Sequence, residues 1–183
     1  MPGADLGSDA DPGPDALEAR PCGAEDLAQL HATWPLSADV HDRHFTRQLS
    51  GTQTLLVAWQ RDEAVGSAVI RWQSSELGEF GHTYPGVVEI AHLQARPDRR
   101  RRGVGTCLMQ AAENMARLRE VPWLGLGVGV ENPEAAALYE RLGYTRTGIV
   151  TQSEYEFVDE NGVEQHAVEW NEYMIMDLQG EDL

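Results

Sequence analysis

The residues with the clearest chemical potential lie between 99 and 106, where four arginines precede Gly-Val-Gly-Thr. Apolar residues after Gly103 recur at helical spacing, which predicts an amphipathic helix that ends before Pro122. The predicted apolar stripe contains Val104, Cys107, Leu108, Ala111, Met115 and Leu118. Backbone N–H groups at a helix start lack helical partners and carry the positive end of the helix dipole. Glycines and arginines at this position therefore predict an anion site suited to a pyrophosphate.

The arginine run has two alternative interpretations. A dinucleotide-binding fold would need glycine at position 108, where Leu108 stands. Four consecutive arginines are also typical of a solvated patch or a nucleic-acid contact. The net charge of −16 opposes binding to nucleic acid or an anionic membrane, and its field favours cationic partners such as amines and polyamines.

Composition excludes several chemistries. The chain has no lysine, so it cannot form a P-loop, a protein-kinase site or a Schiff-base enzyme. Cys22 and Cys107 are too few for a disulfide framework or a four-ligand zinc site, and Cys107 is predicted in the core. No secretory signal and no long apolar segment is recognisable, which predicts a cytoplasmic protein.

The length of 183 residues predicts one domain. Residues 1–16 are rich in Asp, Gly and Pro and are predicted to be a disordered acidic tail. The folded domain is predicted at 17–178 and a short tail at 179–183. Patterns predict helices at 23–33, 39–49, 103–121 and 133–142, a loop at 74–86, and strands at 54–60, 65–73, 87–95, 123–130, 148–158 and 163–178.

The segment 123–143 carries a second group of informative residues. Its strand alternates apolar residues with Gly125, Gly127 and Gly129, leaving one face almost bare. That face would admit a ligand or a tightly packed helix. Asn132 is a predicted N-cap, and the helix after it carries Tyr139 and ends near Gly143.

These two segments resemble the GNAT superfamily of acetyl-CoA-dependent N-acetyltransferases. Arg100 to Gly105 is similar to the family signature Arg/Gln-x-x-Gly-x-Gly/Ala at a helix start. Asn132, Ala135, Tyr139, Gly143 and Tyr144 are similar to a second signature, Asn-x-x-Ala-x-x-x-Tyr followed by Gly-Tyr. The resemblance extends from about Leu17 to Leu178 and implies a single α/β domain. Its mostly antiparallel sheet would have about seven strands, splayed at the cofactor site, with about four flanking helices.

The resemblance implies acetyl-CoA as co-substrate and direct acetyl transfer to a primary amine, without a covalent enzyme intermediate. It implies that Leu93 and Ala95 pair with the pantetheine arm as they would with an added strand, and that Asn132 touches the cofactor. The pyrophosphate would be held by N–H groups of Arg101, Gly103, Val104, Gly105 and Thr106, with Arg100 and Arg102 nearby.

Two residues are candidate catalysts by the same resemblance. Tyr139 would protonate the departing thiolate, although it could instead be a core aromatic. Glu89 would be the general base, since a carboxylate in a mostly apolar strand has a raised pKa. The alternative for Glu89 is an outward-facing surface residue, and His92 is a second candidate base.

The acceptor half of the chain is less informative. Trp34, His41, His82 and Tyr84 are candidate acceptor-site residues. His41 and His44 lie one turn apart but have no further ligands at suitable spacing, so no metal is predicted. We expect a small cationic amine as partner. An antibiotic, a polyamine, an amino acid and a protein amino group all stay open as acceptors, and so does a homodimer. The alternative function is a non-catalytic acyl-CoA-binding or interaction module.

Overall fold

The computed structural model describes residues 16–36, 40–73, 77–158 and 164–180. Most of the predicted disordered tail, residues 1–15, lies outside the described residues, and so do residues 181–183.

Within these ranges a seven-stranded sheet has the order β1-β2-β3-β4-β5-β7-β6. All neighbouring pairs are antiparallel except β4 and β5, which are parallel. This architecture confirms the predicted fold class. The strands are β1 (Leu17–Pro21), β2 (Gln53–Gln60), β3 (Glu63–Arg71), β4 (Val88–Ala95), β5 (Trp123–Gly129), β6 (Thr145–Val158) and β7 (Glu164–Asp177). The helices are α1 (Asp26–Thr33), α2 (Val40–Leu49), α3 (Gly78–Thr83), α4 (Val104–Leu118) and α5 (Pro133–Arg141), with a 3₁₀ turn at Pro97–Arg99.

The structure differs from the local predictions at three places. Strand β1 was not foreseen, and the predicted loop at 74–86 contains α3, which forms around the fully buried ring of Phe80. Leu118 was predicted on the buried stripe of α4 but is 85% exposed. It is the last residue of the helix, beyond the final buried position at Ala116.

The sheet separates two apolar layers. Helices α4 and α5 cover one face, where Val88, Ile90 and Leu126 are buried. Helices α1 and α2 cover the opposite face at one end of the sheet. In a separate apolar cluster, Phe80 of α3 packs against Val87 and residues of β7. Since side chains alternate along a strand, Glu89 lies on the face opposite to Val88 and Ile90.

The two parallel strands separate halfway along the sheet. Pairing between β4 and β5 covers Val88–Ile90 and Leu124–Leu126. Beyond these pairs, β4 bulges against β3, and His92 adopts a φ of 52°. A positive φ is uncommon for a residue other than glycine, and bulges bend strands. The bulge accompanies the opening of a cleft between β4 and β5.

Candidate active site

The start of α4 forms one end of a groove, which we call the helix-end pocket. Gly103 caps the helix with a φ of 82°, and no side chain bonds to the free N–H groups there. A Cβ atom on Gly105 would meet nothing within 4 Å, so the backbone is open to a ligand. The pocket has a volume of about 740 Å³. It is lined by Arg101, Gly103, Val104, Gly105, Thr106, Asn132, Glu134, Ala135, Ala137, Leu138 and Arg141.

The structure thus brings together six of the predicted cofactor-binding residues. Arg100 and Arg102 are exposed in the adjacent turn and do not line the pocket. The first arginine of the run has a structural role, because Arg99 donates hydrogen bonds to Gln60 and Glu63. Asn132 is confirmed as an N-cap, since its side-chain oxygen accepts from the N–H of Ala135 at 3.1 Å.

The middle of the groove is the space between the diverging strands, which we call the cleft. It has a volume of about 220 Å³ and shares Asn132 and Ala135 with the helix-end pocket. Leu93 lines the cleft, whereas Ala95 pairs with Gly66 of β3 and does not line it. Tyr139 projects into the cleft from α5. Burial raises the pKa of the Tyr139 hydroxyl, so this group carries its proton at neutral pH.

The far end of the groove is a chamber of about 580 Å³, which we call the polar cavity. It shares Ala91, His92 and Gly127 with the cleft, so the three spaces adjoin one another in a row, and we call them together the groove. Its lining is Arg43, Arg71, Glu89, Ile90, Ala91, His92, Gly127, Thr151, Ser153, Glu169, Asn171 and Tyr173.

Glu89 is the most buried charged residue in the wall of this cavity, at 6% exposure. Antiparallel pairing of β3 with β4 places Arg71 opposite it. Arg71 donates from Nη1 to Oε2 of Glu89 at 3.0 Å. Burial raises the pKa of the Glu89 carboxyl, against the smaller lowering effects of Arg71 and of a hydrogen bond from Tyr173. The cavity wall therefore holds a carboxylate of increased basicity.

Two histidines border Arg71 and are neutral near pH 7. The ring nitrogen Nε2 of His92 accepts from Nη2 of Arg71 at 3.2 Å. The rings of His44 and His92 lie 4.8 Å apart. Desolvation together with neighbouring histidine and arginine side chains lowers the pKa of His44 to about 4. Desolvation and nearby arginines, Arg71 first, also lower the pKa of His92.

The four predicted acceptor-site residues lie elsewhere. Trp34 and His41 are buried in the core beneath α1 and α2, where Nε2 of His41 lies 3.1 Å from the carbonyl oxygen of Trp34. His82 belongs to α3, and Tyr84 packs against Phe80 and Trp123. None of the four lines the polar cavity as formed by the described residues.

Sequence reasoning missed most of the polar lining of this cavity. Glu169, Asn171 and Tyr173 follow each other at alternate positions of β7, a spacing that places them on one face of the strand. That spacing was the available signal. No sequence signal pointed to Arg71, because its position opposite Glu89 depends on the register between two strands.

Two further properties concern the described part of the chain. It contains no group of three or more His, Cys, Asp or Glu side chains that could hold a metal ion. Among its helices, none is long and apolar enough to cross a membrane.

Comparison with known proteins identifies the family. Residues 24–144 match the Acetyltransferase (GNAT) family. The chain therefore belongs to this family, whose members are acyltransferases. It is 41% identical over 64 residues to an uncharacterised N-acetyltransferase of Methanocaldococcus jannaschii. That match covers 35% of this chain and 28% of the relative's length.

Solved structures share the fold over most of the chain. An N-acetyltransferase from Staphylococcus aureus Mu50 has a TM-score of 0.64 at 15% identity, covering 89% of this chain and 99% of its own. A GNAT family acetyltransferase from Elizabethkingia anophelis, with acetyl-CoA bound, has a TM-score of 0.59 at 18% identity, with coverage of 88% and 97%. The spermidine/spermine N-acetyltransferase of Vibrio cholerae also has a TM-score of 0.59, at 17% identity and with coverage of 89% and 93%.

Proposed function

We propose that this chain transfers an acetyl group from acetyl-CoA to a primary amine by direct attack within a ternary complex. The observation that carries the proposal is the single groove, with an open helix start at one end and buried Glu89 at the other. A helix start is suited to a pyrophosphate, and a buried carboxylate is suited to accept an ammonium proton.

The described residues fit acetyl-CoA. Gly103, Gly105 and Thr106 at the start of α4 line the helix-end pocket, and Arg101 and Arg141 add positive charge. The separated strands leave backbone groups of Leu93 available to an amide-bearing chain, as an added strand would use them. When bound, acetyl-CoA supplies an activated acetyl thioester.

Glu89 has the surroundings required of a base. Its side chain lines the polar cavity, and burial raises its pKa towards the range in which it can accept a proton near neutral pH. We propose that it removes the proton from the acceptor ammonium through a water molecule. Arg71 holds the carboxylate in place and limits how far its pKa rises.

Tyr139 has the properties required of an acid at the other side of the reacting atoms. It lines the cleft that connects the two end spaces, and its hydroxyl is protonated at neutral pH. We propose that Tyr139 gives this proton to the leaving sulfur, while N–H groups of β4 beyond the bulge donate to the carbonyl oxygen of the thioester.

The proposal is tested by two measurements on the same protein. Calorimetry with coenzyme A measures binding at the helix-end pocket, and release of free thiol from acetyl-CoA with a panel of primary amines measures transfer. We expect coenzyme A to bind and at least one amine to raise thiol release above the hydrolytic background. Binding without amine-dependent release would instead indicate an acyl-CoA-binding module, and no binding would refute both functions.

A further inference from the structure

The polar cavity carries positive charge on one wall, although the chain as a whole has a net charge of −16. Arg43 of α2 and Arg71 of β3 both line this wall. Arg71 is engaged by Glu89 and His92. Arg43 is exposed and forms no ion pair within the described residues. An exposed arginine that lines a cavity and has no carboxylate partner among the described residues is available to an anion on a ligand.

The lowered pKa values of His44 and His92 support the same conclusion. Besides desolvation, each value is lowered by neighbouring cations, which include Arg47 and Arg71. Arginine side chains therefore act on His44 of α2 and on His92 of β4, which both lie near Arg71.

The opposite wall carries negative charge. Glu169 of β7 is exposed, lines both the polar cavity and the cleft, and forms no ion pair with any described residue. Its Oε1 atom lies only 2.7 Å from the place that a Cβ on Gly129 would occupy, so the missing side chain makes room for the carboxylate. The two walls thus offer charges of opposite sign to one ligand.

We infer that the acceptor is a dipolar amine, a small molecule with a primary amine and an anionic group such as a carboxylate. This inference rests on the proposed function. The ammonium group faces Glu89 and Glu169, and the anionic group faces Arg43. A polyamine has no anion for Arg43, and its additional charges are repelled by the Arg43 guanidinium. The net charge of the whole chain favours a polyamine, so the two substrate classes make opposite predictions.

The experiment compares amines that differ only in the anion. Amino acids from glycine to 6-aminohexanoate are paired with alkylamines of the same chain length, and spermidine is added as a polyamine. The readout is kcat/KM for the acceptor at saturating acetyl-CoA, corrected for the fraction of free amine because the paired amines differ in pKa. We expect the best amino acid to exceed its alkylamine partner by about 10- to 100-fold, as for a hydrogen bond to a charged group. The chain length with the largest preference gives the separation of the two charges.

Variants test which residue recognises the anion. Arg43→Gln should reduce the ratio of kcat/KM values, amino acid over alkylamine, to near one, whereas Arg43→Lys should retain part of the preference. Arg61→Gln is the charge-matched control, since Arg61 lies in the turn between β2 and β3. It should leave the ratio unchanged.

The outcomes separate this inference from the proposed function. If the protein transfers acetyl but prefers alkylamines or spermidine, the dipolar acceptor is refuted and the transferase function stands. The same holds if Arg43→Gln leaves the ratio of kcat/KM values, amino acid over alkylamine, unchanged. If no amine supports transfer, the proposed function fails, and ligand-detected NMR with the same paired compounds then decides the inference. The dipolar acceptor is supported if amino acids bind, alkylamines do not, and Arg43→Gln abolishes the binding of amino acids. Any other pattern of binding would refute it.

Discussion

Replacing Glu89 with glutamine tests the proposed base while preserving the shape of the side chain. General bases contribute roughly 100- to 10,000-fold to a rate. The ion pair with Arg71 restrains the basicity of this carboxylate, so we place the loss at the lower end. The expected decrease in kcat is about 100-fold, or about 2.7 kcal/mol in activation free energy.

The pH dependence gives a second signature. Burial raises the pKa of Glu89, so its carboxylate forms at a higher pH than that of an exposed glutamate. The rate should therefore rise with pH through this raised pKa. We call this rising part of the pH–rate profile the limb, and Glu89→Gln should lack it. The same shift makes the native protein lose stability as pH rises through the raised pKa, because the native state holds this proton more tightly than the unfolded chain.

The assay is thiol release at saturating acetyl-CoA with one acceptor, measured from acid to alkaline pH in both proteins. Using the same acceptor cancels the growth of its free-amine fraction, so the difference between the two profiles reports Glu89. Glu113→Gln is the matched control. Glu113 also pairs with an arginine, Arg117 at 3.6 Å, and burial raises its pKa, but it does not line the groove.

Near-normal turnover in Glu89→Gln, with the same rise of rate with pH as in the unmodified protein, would refute Glu89 as the base. The base would then be His92, a water chain or deprotonation of the acceptor in solution. An equal loss in Glu113→Gln would show that the effect arises from perturbing a buried ion pair, and a denaturation midpoint for each variant separates misfolding from lost chemistry.

Four further substitutions test the groove and its support. Tyr139→Phe should lower kcat by roughly 10- to 1,000-fold while the affinity for acetyl-CoA by calorimetry stays nearly intact; equal losses of both would make Tyr139 a packing residue. Gly103→Glu should abolish binding of coenzyme A, because it adds a carboxylate to the anion site and strains a backbone with a φ of 82°; unchanged calorimetric affinity would contradict the assignment. Gly125→Ala would place a Cβ 2.4 Å from the Phe80 ring and should cost about 1–3 kcal/mol in thermal or denaturant unfolding. Gly105→Ala, whose Cβ meets nothing within 4 Å, should be neutral or stabilising in the same unfolding measurement.

The parts of the fold that depend on local patterns were predictable. Asn132 and Gly143 mark the ends of α5 because capping and a positive φ are local requirements. Strand β1 was not predictable, since a five-residue edge strand ending in Pro21 forms only by pairing with β2. Helix α3 contains two glycines and depends on the packing of Phe80.

The candidate site also has a part that was predictable from the sequence and a part that was not. The helix-end pocket comes from two short segments, residues 101–106 and 132–141, and each segment carries a local pattern that sequence reasoning could use. The polar cavity collects side chains from one helix and five strands. Arg71 meets Glu89 only through strand register, and Arg43 arrives on α2, so neither could be placed from spacing along the chain.

The short parallel seam between β4 and β5 also divides the sheet into two antiparallel units. Three residue pairs join β1–β4 to β5–β7 along this seam. Helix α4 packs mainly on the first unit, and the same apolar core also takes in Leu126 of β5 and Met174 of β7. Because the strand pairing between the two units is short, native-state hydrogen exchange should show the two units opening with separate free energies. A ligand in the cleft contacts both units and ties them together, so saturation should merge these two openings into one cooperative transition.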